Sequence, residues 1–182
     1  ELSYVTEAIK STYVSSVGKF VDEFEERLET LSHFKHACAV NSGTSALSLS
    51  LHNAGVGSDD LVIIPDYTFI ATANWPLMVG TKPIFSEIEE ETLGMDPSYL
   101  NSIISKKTKV IMPIHYGGMP CKITEIKKFA NQHKLILIED SAESIGSTIG
   151  NKKTGSFGDI GVDKFIYHNG DTNTFINFAD SG

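Results

Sequence analysis

Phe20, Val21, Phe24, Leu28 and Leu31 recur one, three and four residues apart, with acidic residues between them. That spacing predicts an amphipathic helix over 19–33 with an acidic outer face. The apolar run HACAV (36–40) predicts a short strand. The stretch NSGTSALSLSLHNAG (41–55) reads as a turn, then a helix with Ala46, Leu47 and Leu51 inward and a stop at Gly55. LVIIP (61–65) is a strand closed by Pro65, and TFIATANWPLMVG (68–80) is helical as far as Gly80. KPIFSEI (82–88) is a strand, and DPSYLNSII (96–104) opens a helix with Asp96 as N-cap and Pro97 at the first position. KVIMPIHY (109–116) is a strand, KITEIKKFANQHK (122–134) a helix and LILIE (135–139) a strand. Strand and helix alternate about five times, and the strands are short and rich in Val, Ile and Leu, as when both faces are buried. The pattern predicts an α/β domain with a mainly parallel sheet flanked by helices and joined by right-handed crossovers. Such sheets bind ligands at the carboxyl ends of their strands. Asn41, Pro65, His115 and Asp140 fall just past the predicted strand ends.

Composition narrows the partners. A chain of 182 residues can form one domain with a core of its own, and a formal net charge of −8 argues against nucleic acid or an anionic membrane surface as the main partner. A small anion remains compatible, because backbone dipoles bind phosphate inside acidic proteins. Cys38 and Cys121 form no CxxC and no zinc spacing, so two buried thiols in a reducing compartment are expected. His33 and His36 lack the neighbours that would complete a metal set, and no metal is expected. The longest apolar stretch (70–79) is interrupted by Asn74 and Pro76 and is too short to span a bilayer. With no signal peptide read in the sequence, the expected location is the cytoplasm.

Three motifs carry candidate chemistry. In AVNSGTSAL (39–47), Gly43 permits close backbone approach and Thr44 and Ser45 offer hydroxyls at a helix N-terminus, which makes a phosphate cradle or a plain Ser/Thr cap. In PDYTFIATAN (65–74), Tyr67 and Phe69 could cover a flat ring at a strand top, or pack in the core. In EDSAES (139–144), Asp140 is a carboxylate delivered by an apolar strand, with Glu143 one step further. A buried carboxylate needs a partner, and a protonated ring nitrogen would serve; a helix-capping Asp is the alternative. Phosphate cradle, aromatic plate and buried acid, in that order on a parallel sheet, match what pyridoxal phosphate requires.

The motifs YVSSVGKFVDEFEERL, AVNSGTSAL, PDYTFIATAN, PIHYGGMPC, LIEDSAESIGS and TGSFGDIGV, in this order and spacing across roughly residues 3 to 162, resemble the large-domain half of the DegT/DnrJ/EryC1 sugar aminotransferases. Within them, the resemblance is strongest to enzymes that aminate nucleotide-linked 4-keto-6-deoxy sugars, the perosamine and legionaminic type. The resemblance implies the aspartate-aminotransferase type fold, pyridoxal 5′-phosphate as cofactor, a nucleotide-sugar substrate, an amino-acid donor such as glutamate, and a homodimer with shared active sites. It places Gly43, Thr44 and Ser45 on the phosphate-binding turn, Phe69 over the cofactor ring, Asp140 at its pyridinium nitrogen and Glu143 facing its ring oxygen.

The tail departs from the family. There, GDIGV is followed by Phe-Ser-Phe and, a few residues on, by the lysine that binds the cofactor covalently; here DKFIYHNGDTNTFINFADSG follows. An ungapped count from Asp140 puts Asn169 at the lysine place, and a shift that matches Asn169-Gly170 puts Thr172 there. Residues 1–182 therefore read as a single large cofactor-binding domain without the small C-terminal domain, and 163–182 as a divergent tail. A fragment or gap-joined chain, an altered tail and a true variant are the competing explanations. Lys164 as a relocated lysine and His168 as the base of a sugar 3-dehydratase are the candidate catalytic residues. A homologue that binds cofactor or nucleotide sugar without turnover is the remaining alternative.

Overall fold

The computed structural model describes residues 1–162 and the backbone of 165–168. In chain order the helices are α1 (Leu2–Ser11), α2 (Lys19–Ser32), α3 (Gly43–Asn53), α4 (Ile70–Met78), α5 (Leu100–Ile103) and α6 (Ile123–His133). The strands are β1 (His36–Ala39), β2 (Leu61–Pro65), β3 (Lys82–Ser86), β4 (Thr108–Ile111), β5 (Ile136–Asp140), β6 (Thr148–Ile149), β7 (Lys152–Lys153), β8 (Ile160–Val162) and β9 (Phe165–His168). The main sheet has the order β1-β9-β8-β5-β4-β2-β3, and β6 and β7 form a separate small ribbon. Strands β3, β2, β4, β5 and β8 are mutually parallel. Strand β9 runs antiparallel between β8 and β1. The mainly parallel α/β architecture expected from the alternating pattern is present.

Burial follows the two-residue period of the strands. Val62, Ile64, Val110 and Ile138 face one side and pack with Ala46, Leu47 and Leu51 of α3. Ile63, Ile111 and Leu137 face the other and pack with Leu100 of α5 and Ile123, Ile126 and Phe129 of α6. Each such side chain contributes about 1.5–3 kcal/mol on leaving water. The same alternation sends the last two residues of β5 to opposite faces: Glu139 toward the side of Leu137, Asp140 toward the side of Ile138 and α3.

Several local expectations change. The strand predicted over 109–116 ends at Ile111 because Pro113 has no N–H for the ladder. The chain still runs beside β5, with Asp140 N–H donating to Pro113 O (2.9 Å) and His115 N–H to Asp140 O (3.0 Å). Asp140 is thus the final residue of β5 and not the first beyond it. Asp96 does not cap a helix starting at Pro97. Its carboxylate accepts from Ser98 N–H (2.8 Å) and Ser98 Oγ (2.9 Å), which holds 97–99 in a turn, and α5 begins only at Leu100. Of the two thiols expected to be buried, Cys121 is buried and Cys38 only half-buried. Helix α2 forms as predicted, but Phe24 and Leu31 stay 37% and 42% exposed. Helix α1, absent from the expected elements although Leu2, Val5 and Ile9 recur three and four residues apart, buries none of its residues. No helix among the described residues is long and apolar enough to cross a membrane.

Candidate functional site

Three chain segments converge at the carboxyl ends of the strands. The first is the start of α3. Ser42 is extended and caps the helix, its Oγ accepting from Ser45 N–H (3.2 Å). Ser45 Oγ donates to Asn41 Oδ1 (2.7 Å) and lies 3.1 Å from Ser42 Oγ. Ser45 is therefore occupied in closing its own turn. Gly43 and Thr44 remain at the first turn, where amide groups lack intrahelical acceptors and attract anions. Gly43, Thr44, Phe69, Asp140, Ala142 and Glu143 line one cavity of about 230 Å³. Five of the six cofactor-site residues picked from sequence thus share a single cavity; Ser45 does not line it.

The second segment is the entry to α4. Phe69 is the N-cap residue of this helix and is 58% exposed, and Tyr67 is 42% exposed, so neither packs in the core. The Tyr67 and Tyr116 rings lie 4.4 Å apart, tilted by 47°. One turn after Phe69 comes Thr72, fully buried, whose Oγ1 donates to Asp140 Oδ2 (3.1 Å). Sequence reasoning missed Thr72. The available signal was its three-residue spacing from Phe69, which places both on one side of the helix.

The third segment is the end of β5. Asp140 is 2% exposed and also accepts from Ala142 N–H (3.3 Å). Burial pushes its pKa up from 3.8 to about 6, against the opposing pull of the Ala142 and Thr72 hydrogen bonds and with help from the charge of Glu143. No Lys or Arg among the described residues pairs with Asp140. Glu143 is held from the other side by Gly117 N–H (2.7 Å).

Glu139 plays a different part, also unseen in the sequence. It is fully buried on the opposite face and accepts from Gly155 N–H (3.0 Å), Gly158 N–H and His115 Nε2 (3.1 Å). His115 Nδ1 accepts from Cys121 N–H (3.1 Å), so the ring proton sits on Nε2 and is donated to Glu139. One carboxylate thereby ties the 155–158 loop to the 115–121 turn. Gly158 must be glycine, since a Cβ there would lie 2.6 Å from Leu137 O.

Lys164, like Asn169 and Thr172, lies outside the described residues; His168 is described only as backbone, paired with His36 and Ile160. Among the described residues no cluster of three or more His, Cys, Asp or Glu could hold a metal ion.

Known proteins resemble this chain in sequence and in fold. The chain is 41% identical over 166 residues to the GDP-perosamine synthase of Caulobacter vibrioides, covering 91% of this chain and 45% of that protein. Its fold superposes on an aminotransferase from Psychrobacter cryohalolentis with a TM-score of 0.86 and 30% identity, covering 93% of this chain and 47% of that one. It superposes on NtdA from Bacillus subtilis, solved with bound cofactor PMP, with a TM-score of 0.85 and 30% identity over 95% of this chain and 42% of that one. The chain spans about half the length of the curated relatives it matches. The family model that describes the DegT/DnrJ/EryC1/StrS aminotransferases matches residues 1–171, and the chain belongs to that family.

Proposed function

We propose that this chain is the cofactor-binding part of a pyridoxal-phosphate-dependent aminotransferase that acts on a nucleotide-linked keto-sugar. The observation that carries the reading is Asp140: a carboxylate buried at a cavity, without a cationic partner among the described residues, beside a helix N-terminus and an exposed aromatic ring. A buried acid of this kind is costly unless a cation joins it, and a protonated pyridine nitrogen fits the need. In this reading Gly43 and Thr44 hold the phosphate and Phe69 covers the ring. Asp140 keeps the proton on the ring nitrogen, and Glu143 meets the ring oxygen. Ser45 supports the phosphate turn from behind, through its bonds to Asn41 and Ser42. When bound, the cofactor supplies an electron sink for a carbanion at the amino-bearing carbon.

The nucleotide-sugar substrate rests on the likeness to a relative named for a GDP-linked sugar. The amino donor, by family resemblance, is an amino acid such as glutamate, and the setting is the cytoplasm. Residues 1–182 are read as one cofactor-binding domain, with a tail over 163–182 that lacks the family's lysine motif although the family model matches as far as 171, and a smaller C-terminal domain belonging to the complete enzyme. A homodimer is part of the same reading. Ile70, Leu77 and Met78 leave an apolar stripe of α4 exposed beside Phe69, and Val14 and Val17 are exposed ahead of α2. Light scattering of the complete protein at micromolar concentration should give twice the protomer mass; a monomer would remove the shared-site part of the proposal.

The function is tested by equilibrium dialysis of the chain against pyridoxamine phosphate. The expected result is saturable retention that inorganic phosphate competes away. Thr44→Ala should weaken it by about 1 kcal/mol, roughly fivefold, the value of one hydrogen bond. No retention, or an unchanged affinity in Thr44→Ala, would count against the assignment.

A further inference from the structure

We propose that Thr72 is a positioning residue for Asp140, the second member of a hydroxyl relay Thr68–Thr72–Asp140 whose direction is set by the charge on the carboxylate. Thr68 Oγ1 donates to Thr72 Oγ1 (3.0 Å), and Thr72 Oγ1 donates to Asp140 Oδ2 (3.1 Å). Each hydroxyl has one proton to give and two lone pairs. With Asp140 ionised, Thr72 must turn its proton toward the carboxylate, which leaves a lone pair for the proton of Thr68. Ala142 N–H holds the other oxygen. The carboxylate is thus clamped in one orientation by donors on both oxygens.

The placement of Thr72 adds to the clamp. It lies in the first turn of α4, which begins at Ile70. The positive end of that helix therefore sits beside Asp140 and favours its charged form. Helix α4 itself carries no charged residue, and the only titratable residue of α3, His52, is exposed at its far end. The titratable groups near Asp140 are His115, whose one ring proton is given to Glu139, and Glu143, whose charge opposes ionisation. Thr72 is the only side-chain hydrogen-bond donor to Asp140 among the described residues. The same turn of α4 carries Phe69, so one short segment sets both the aromatic cover and the orientation of the acid.

This inference rests on the proposed cofactor role of Asp140, but its first test does not. In the full chain, without cofactor and with aspartate labelled with ¹³C, the Asp140 carboxyl is titrated by NMR. Thr72→Val keeps the shape and loses the donor; its midpoint is expected about one pH unit higher, a tenfold gain in proton affinity. Thr72→Ser keeps the donor and should titrate like the parent. An unchanged midpoint in Thr72→Val overturns the proposal. If that variant does not fold, Thr68→Val tests the relay one hydroxyl further out: a smaller upward shift supports it, and no shift overturns it. The second readout is pyridoxamine phosphate affinity, expected in Thr72→Val to be about fivefold weaker at pH 6 and restored at pH 8, because only the ionised acid pairs with a ring cation. Loss of all binding in the parent chain would refute the cofactor reading and leave the titration result standing.

Discussion

Asp140→Asn is expected to make the cofactor-free chain more stable at neutral pH while slowing the complete enzyme by at least about 100-fold, or roughly 3 kcal/mol of transition-state stabilisation. Both effects have one cause. Burial pushes the Asp140 pKa up from 3.8 to about 6. Between these values the folded chain still holds a proton that the unfolded chain has released, so stability falls as pH rises through this window. Below pH 4 both states are protonated and the group costs nothing. Above pH 6 the full cost is present, about two pH units at ~1.36 kcal/mol each, near 3 kcal/mol. Asparagine never ionises and escapes this cost. It loses about 1 kcal/mol because its NH₂ must face one of the two donors, Thr72 or Ala142. The net gain at pH 7 is about 2 kcal/mol, and the gain should disappear near pH 4. Urea unfolding of the two proteins at both pH values checks this. An Asn variant less stable than the parent at pH 7 would mean that hydrogen bonding outweighs desolvation at this site. In the complete enzyme, a parent-like transamination rate would leave Asp140 as a structural residue only.

Glu139→Ala, one residue earlier, should have the opposite consequence for stability. It strips the acceptor from His115 Nε2, Gly155 N–H and Gly158 N–H, all in the interior. Leaving three buried donors unpaired costs about 1–3 kcal/mol for each group, together a large share of the roughly 5–15 kcal/mol that holds a domain together. The 155–158 loop and the turn at 115–121 should loosen together, since Glu139 joins them. Glu139→Gln keeps one acceptor oxygen and should fall between parent and Ala. Chemical denaturation measures the loss, and hydrogen exchange at Gly155, Gly158 and Cys121 locates it. A loss under about 1 kcal/mol would mean that water replaces the carboxylate, contrary to its full burial. Two adjacent acids on one strand thus separate a stabilising substitution from an unfolding one.

The contrast between these neighbours shows where the sequence stops being informative. Local periodicity carried the helices from α2 to α6, α5 with too early a start, and the strands from β1 to β5; the order of phosphate turn, aromatic and acid came from short motifs and the resemblance to the family. These signals are local because an apolar face repeats every two residues in a strand and about every 3.6 in a helix. The motif order also placed Gly43, Thr44, Phe69, Asp140 and Glu143, which the fold gathers around one cavity. Helix α1 was overlooked although Leu2, Val5 and Ile9 recur three and four residues apart, so the signal was present and the face it marks stays exposed among the described residues. Asp96 was misplaced because an Asp can close a turn as well as a helix.

The link between Thr72 and Asp140 spans 68 residues, and that between His115 and Glu139 spans 24. Neither leaves a periodic trace. They exist because the sheet order sets β5 beside β4 and β4 beside β2, which brings the segments after these strands to one edge. The sequence alone determined which residues could be buried and which could carry charge. Only the tertiary structure decided that Glu139 ties loops together and that Thr72 meets Asp140, because alternation along β5 sends neighbours to opposite faces and the packed strands choose what meets them there.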